Sequence, residues 1–331
     1  MKKITSTDVA KLAGVSQTAV SIALNQNTKV HLSDETRNKI IAAARELQYG
    51  PFSEKQMFPC LKNEIAVILP TISNPYYSML LNAIEGIAFE KGYQINYCCT
   101  NKDPKKEKQI LEQVDYGRTK CVIYTFTPQS RASAIKLSKK LPLCIYGEAD
   151  FEINALLIPL HSRQSGYMMA EYMVNKGHRN IAFLSSPTEL LTTARKNRME
   201  GVIEYTKKAG IPLVIKTAEQ EEDDLETGFH LADTLLQEHP RIDGIIAVND
   251  AIAIGVLYAL RSQNISVPSR VAVAGFDNIP FSNAFYPQLT TIDHSLQERT
   301  RIALSILLAN EENKGQINIS YPPVIIKRMS C

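Results

Sequence analysis

The chain has 331 residues, 44% of them apolar and 21% charged, with a formal net charge of +3. That is too long for one helical module and too apolar for a disordered chain, and it leaves room for a small domain followed by a two-lobed α/β body. No apolar run approaches the ~20 residues a bilayer-spanning helix needs, and the basic start MKKITSTDVAK lacks the apolar stretch of a signal peptide, so a cytoplasmic protein without a membrane partner is expected.

Residues Thr5 to Tyr49 hold the first elements. Thr5 with Asp8 three positions on has capping-box form and starts a helix at Ser6 or Thr7, with Val9, Ala10 and Ala13 as its apolar face. Gly14 permits a tight left-handed turn. Ser16 caps a second helix whose apolar positions are Ala19, Val20 and Ala23. Two short helices joined this way predict a helix-turn-helix, whose second helix enters the DNA major groove. Ser33, followed by Asp34 and Glu35 at the positive end of the dipole, starts a third helix packed through Ile40, Ile41, Ala44 and Leu47. Residues 1–62 carry nine Lys/Arg against five Asp/Glu, a balance of +4, whereas the remainder stands at −1. Positive charge therefore gathers where phosphate contacts are needed.

Tyr49-Gly50-Pro51 ends this module, because proline constrains the residue before it and cannot continue a helix. A polar and aromatic linker follows. Beyond it, apolar strands alternate with helices: strands at 65–70, 93–99, 121–126, 143–147 and 156–159, with helices around 77–91 and from Pro104. A second half repeats the pattern, with strands at 180–185, 213–215, 244–248 and 271–276 and helices near 162–176, 196–209, 226–238 and 251–263. Two such halves predict two parallel-sheet lobes with a ligand cleft at the strand C-terminal ends. Runs 289–292 and 321–326 are expected as further strands where the chain crosses back between lobes. The six cysteines, at 60, 98, 99, 121, 144 and 331, show no metal-ligand spacing and are read as reduced thiols, with no metal and no cofactor expected. P-loop, HExxH and GxSxG signatures are missing, which argues against an enzyme.

The helix-turn-helix block, the Tyr-x-Pro linker and the body motifs GHRNIAF (177–183), RMEG (198–201), VND (248–250), GFDN (275–278) and QLTTI (288–292) together resemble the lactose-repressor/galactose-repressor family. The resemblance runs the length of the chain. It implies a helix-turn-helix domain over 1–49, a hinge linker over 50–62, and an effector-binding and dimerisation core over 63–331. That core resembles periplasmic binding proteins, with an N-lobe of about 63–161 and 293–321 and a C-lobe of about 162–292 and 322–331. It further implies a homodimeric repressor of a carbohydrate-utilisation operon. Such a dimer reads near-palindromic double-stranded operator DNA, controlled by a small sugar or sugar derivative bound between the lobes.

Within that frame Gln17, Thr18 and Ser21 face base edges, where glutamine can pair with adenine. Ile22 stands where the family usually carries arginine, and either meets a base through apolar contact or packs within the domain. Thr5, Ser16, Asn25 and His31 are candidate phosphate contacts. The resemblance puts a minor-groove wedge at Phe58 with Met57 beside it, although Pro59 stops a hinge helix directly afterwards.

For the effector, the resemblance implies Tyr76 and Tyr77 as aromatic contacts and Arg198, Asn249 and Asp277 as polar ones. Asp250 is expected to cap the following helix. His161, Asp223 and Glu148 depart from the family pattern at effector positions and make the expected pocket more acidic, which favours a neutral or cationic polyol over a sugar acid. The same departures leave room for a protein corepressor as a controlling partner. Dimer is the default assembly, because no heptad-bearing extension follows Ile326.

Overall fold

The computed structural model describes residues 4–24, 32–47, 49, 63–187, 191–219, 224–309 and 317–331. The chain divides into two compact units, Met1–Lys62 and Asn63–Cys331.

In the first unit three helices, α1 (Ser6–Ala13), α2 (Gln17–Leu24) and α3 (Asp34–Glu46), enclose a small core of Val9, Ala10, Val20, Ala23, Ile40, Ala43 and Ala44. The Asp8 carboxylate accepts hydrogen bonds from the Thr5 amide (2.8 Å) and the Thr5 hydroxyl (2.7 Å), which fixes the start of α1. Gly14 ends α1 in the left-handed region (φ 65°), a conformation that costs glycine nothing. Ser16 Oγ then accepts from the Ala19 amide (3.2 Å) and starts α2.

The second unit opens with β1 (Glu64–Leu69), α4 (Pro75–Glu90), β2 (Gln94–Cys99), α5 (Pro104–Glu112), β3 (Thr119–Tyr124), α6 (Arg131–Ser138), β4 (Leu143–Tyr146) and β5 (Leu156–Ile158). After a crossover come α7 (Ser162–Asn175), β6 (Ile181–Ser185), α8 (Thr193–Ala209), β7 (Leu213–Thr217), α9 (Asp224–Glu238), β8 (Gly244–Ala247), α10 (Asp250–Ser262), β9 (Ala272–Ala274) and the short α11 (Phe281–Ala284). The chain returns through β10 (Thr291–Asp293), α12 (Leu296–Ala309) and β11 (Ile317–Asn318), and ends beyond β12 (Val324–Ile326).

The N-lobe sheet is parallel in the order β11-β5-β4-β3-β1-β2. The C-lobe sheet is parallel in the order β7-β6-β8-β9. Strands buried on both faces explain the unbroken apolar runs of the sequence. β10 and β12 join neither sheet; they pair antiparallel with each other, Ile292 opposite Ile325, as a small ribbon of their own. The sequence reading anticipates strands in these two runs but not that they pair together. It also lacks α6, α11, α12 and β11. Helix α12 belongs to the N-lobe, where it packs on α4 through a buried stripe that includes Leu296, Ala303, Leu304 and Leu307.

The crossovers are tied to one another. Arg299, buried on α12, donates Nη2 to the carbonyls of Ile158 (2.9 Å) and Pro159 (2.8 Å) on the first crossover and Nη1 to the His294 carbonyl (3.2 Å) on the second. His161 Nε2 and Ser320 Oγ, 2.7 Å apart, link the first crossover to the third. Burial opposes the Arg299 charge, so three carbonyl dipoles are what hold it there.

In the C-lobe, helices approach as closely as backbones allow. A Cβ on Gly166 would run into the Arg198 carbonyl of α8, and one on Gly201 into the Arg163 carbonyl of α7. The α9–α10 pair repeats the device with Gly228 against the Ile252 carbonyl and Gly255 against the Leu225 carbonyl. In the N-lobe helix α4, by contrast, a Cβ on Gly86 would meet open space.

Candidate functional site

The DNA-reading expectation falls on α2. Gln17, Thr18 and Ser21 are exposed there, opposite buried Val20 and Ala23. Ile22 is half-buried and takes no part in the domain core, so it sits on the outward side with Thr18 and Ser21. Gln17 Nε2 donates to Ser6 Oγ (2.8 Å), a bond to α1 that steers the amide at the start of the helix. Thr5 and Ser16 act as the helix-starting residues described above. Asn25, His31, Met57 and Phe58 lie outside the described residues, as does Asp223.

Between the lobes, at the C-terminal ends of their strands, lies a small cavity. Asn74, Tyr76, Tyr77, Thr125, Phe126, Thr127, Tyr146, Gly147 and Leu160 form its N-lobe wall. Thr192, Ala194, Arg195, Arg198 and Asp277 form its C-lobe wall. Asn74 starts α4, its Oδ1 accepting from the Tyr76 amide (2.9 Å), and this cap presents the buried Tyr76 and Tyr77 rings edge to face, 5.4 Å apart. Burial keeps both phenols protonated, with Tyr77 pushed up to about 12.

Arg198 sits in the deepest part of the C-lobe wall. Its Nη1 donates to the Val248 carbonyl (2.9 Å) and its Nη2 to Asp277 Oδ1 (2.6 Å), while the guanidinium lies over the Phe276 ring at 5.0 Å. His294 Nε2 is 3.4 Å from the same Nη2; burial and then the charges of Arg198 and Arg299 push this imidazole well below its ordinary range, so it is neutral and can accept. Burial raises the Asp277 carboxyl, and Arg198 pulls it back only in part. Arg198 Nε is buried without a hydrogen-bond partner. Tyr146 Oη, on the opposite wall, approaches Thr300 without making a bond of ordinary length.

Sequence reasoning misses a second ion pair. Arg195 donates Nη2 and Nη1 to Asp224 (2.8 and 3.3 Å) and Nη1 also to Ser186 Oγ (2.8 Å). Asp224 Oδ2 further accepts from Asn74 Nδ2 of the N-lobe (2.6 Å) and from Asn249 Nδ2 (2.9 Å). Burial works against both charges. Even so, Asp224 raises the Arg195 guanidinium, and Arg195 with the two amides holds the Asp224 carboxyl below its ordinary value. This pair is ionised at neutral pH.

Several sequence expectations change on this geometry. Asn249, not Asp250, is the N-cap of α10, its Oδ1 accepting from the Ile252 amide (2.9 Å). Asp250 is fully buried below the cleft, where it accepts from the Ile279 amide, Ser282 Oγ and Thr291 Oγ1; burial and then the nearby Asp277 raise it to about 7. Glu148 and His161 do not line the cavity. Glu148 Oε1 accepts from the Ser162 amide at the start of α7 (3.0 Å), and His161, left-handed at φ 50°, turns its ring to Ser320. Among the described residues, the charged side chains that line this cavity are Arg195, Arg198 and Asp277, with Asp224 paired to Arg195. Arg198 and Asp277 form a buried ion pair.

Among the described residues no cluster of His, Cys, Asp and Glu is placed to hold a metal ion, and no helix is long and apolar enough to cross a membrane. Residues 5–51 match the family described as bacterial regulatory proteins, lacI family. Residues 62–324 match periplasmic binding proteins and sugar binding domain of LacI family. The HTH-type transcriptional regulator DegA of Bacillus subtilis is 31% identical over 99% of this chain and 98% of its own length. The HTH-type transcriptional repressor PurR of Mannheimia succiniciproducens is 28% identical over 97% of each chain. A LacI-family transcriptional regulator from Silicibacter pomeroyi has the same fold in its crystal structure, with a TM-score of 0.78, 26% identity and 99% of each chain covered. These relatives are regulators and not enzymes, and the two matched regions span nearly all of the sequence: the chain belongs to the LacI family of DNA-binding transcriptional repressors.

Proposed function

We propose that this repressor binds a near-palindromic operator as a homodimer and is controlled by a small sugar-like effector held between its lobes, in the service of a carbohydrate-utilisation operon. The observation that carries the effector reading is the pairing of unlike walls. The Tyr76 and Tyr77 rings, set edge to face, suit the C–H face of a sugar ring, and the opposite wall brings Arg198 and the Asp277 carboxylate to its hydroxyls. Tyr76, Tyr77, Arg198 and Asp277 are the effector contacts in this reading; Asn249 acts one step back, through Asp224.

On DNA, Gln17, Thr18, Ser21 and Ile22 read bases, with an apolar contact from Ile22 in place of an arginine–guanine pair. The case for a protein corepressor draws on His161, Asp223 and Glu148 altering the pocket, and it loses force because Glu148 and His161 stand away from the cavity. The test is selection of DNA from a random library by the purified full-length protein. The expected result is a near-palindrome, bound by two copies, whose preference at one position of each half-site changes in Ile22→Arg. Enrichment of a single unpaired half-site would overturn the dimeric reading.

A further inference from the structure

The cleft has a second chamber. Outside the inner cavity lies a polar space of about 790 Å³, open to solvent, whose lining includes Thr71, Ser73, Asn101 and Lys102. Asn74, Tyr77, Thr192 and Arg195 line both chambers, so a ligand in either one meets Arg195. Two guanidiniums at a cleft normally advertise an anionic ligand. Here each is already neutralised. Arg198 is spent on Asp277 and a carbonyl, and Arg195 is gripped in bidentate fashion by Asp224.

Asp224 is itself hard to displace. Its Oδ2 takes three donors, one of which, Asn74 Nδ2 at 2.6 Å, comes from the opposite lobe. Asn74 and Asn249 are also the N-caps of α4 and α10, so their amides are oriented before Asp224 is met. An anion reaching for Arg195 would have to push the Asp224 carboxylate aside, break the bond that spans the lobes, and lie against a like charge. A neutral hydroxyl meets no such penalty, because it can donate to a carboxylate and accept from a guanidinium without separating the pair.

We infer that Arg195 and Asp224 are specificity-determining residues that exclude anionic ligands, sugar phosphates and sugar acids included, from the inner cavity, and so limit that cavity to neutral hydroxyl-bearing ones. The inference rests on the effector reading above only for the identity of what is admitted; the exclusion of anions stands on the pair itself.

The test uses the full-length protein and inorganic phosphate as probe, followed by calorimetry against chloride of matched ionic strength. Wild type is expected to show no saturable phosphate binding. Asp224→Asn, which keeps the shape and releases the guanidinium, is expected to bind phosphate at least tenfold more tightly than wild type, and Asp224→Asn with Arg195→Gln is expected to lose that gain. Equal phosphate affinity in wild type and Asp224→Asn would overturn the assignment. If Asp224→Asn does not fold, the wild type decides alone through a panel of neutral sugars, their 6-phosphates and their uronic acids: tight, saturable binding of any anionic member overturns the inference, and binding confined to neutral members supports it. Phosphate gained by Asp224→Asn with no neutral sugar bound by the wild type would support the pair and sink the sugar reading instead.

Discussion

The two walls of the cleft are built on different principles. Around the inner cavity the N-lobe wall is made of tyrosines, Phe126, Leu160, threonines and Asn74, its described lining there carrying no charged side chain. The C-lobe wall carries Arg195, Arg198 and Asp277, with Asp224 just behind. The helices differ in the same sense. Those that bear the C-lobe charges are locked in pairs by backbone contact, and Gly166 abuts the carbonyl of Arg198 itself. Charges placed in a buried wall are costly unless their partners are fixed, and close-packed helices fix them. An aromatic wall needs only shape, and the N-lobe obtains it from a single capped helix start and the ends of three strands. In the proposed reading, the C-lobe wall orients the ligand and the N-lobe wall encloses it.

The largest expected effect breaks the charged wall. Asp277→Ala leaves Arg198 buried without its carboxylate, and urea unfolding is expected to report a loss of about 3 kcal/mol or more. Next comes the scaffold behind it: Gly201→Ala forces a methyl into the Arg163 carbonyl and is expected to cost about 3 kcal/mol by the same measurement.

A third prediction uses protonation. Asp250 is raised to about 7 in the folded protein from the ordinary 3.8 of an unfolded aspartate, so between these values the fold holds a proton that the unfolded chain has released. Stability contributed by this site therefore rises as pH falls from about 7 toward 4, and is flat above. Relative to Asp250→Asn, wild type is expected to gain about 2 kcal/mol between pH 7.5 and 5. Asp224, held low by Arg195, acts in the opposite sense, and its contribution is lost only as pH falls through its lowered value. An unchanged difference across this pH range would show that Asp250 is not proton-linked. The smallest effect tests the other lobe: Gly86→Ala, with open space for its methyl, is expected to be stabilising by about 0.5 kcal/mol.

How much of this could be read in the sequence follows from the range of each interaction. The start of α1, the Gly14 turn and the Ser16 cap are set by residues three or four apart, and a reader of the chain can see them. The strand–helix alternation is equally local. Arg195 and Asp224 were invisible because they look like ordinary surface charges on a helix and in an acidic run, and Asp224 finds Asn74 only across 150 positions. His294 and Arg299 are hidden for the same reason: His294 meets Arg198 of α8 across 96 positions, and Arg299 meets the carbonyls of Ile158 and Pro159 across 141 and 140. Position in a family pattern suggests Glu148 and His161 as pocket residues, but hydrogen bonds to the α7 start and, across 159 positions, to Ser320 engage their side chains. Helix α12 carried a legible stripe, Leu296, Thr300, Ala303, Leu304 and Leu307, obscured by the charged residues between.

Under the proposed function, a neutral hydroxylated ligand in the cleft controls DNA binding, and only a ligand with different affinities for two states can shift their balance. The most direct measurement is the affinity of the full-length protein for its selected operator, with and without each neutral sugar found to saturate the cleft. The expected result is at least a tenfold change in operator affinity by one such sugar, lost in Asp277→Asn. A sugar that fills the cleft yet leaves operator affinity unchanged would contradict the account.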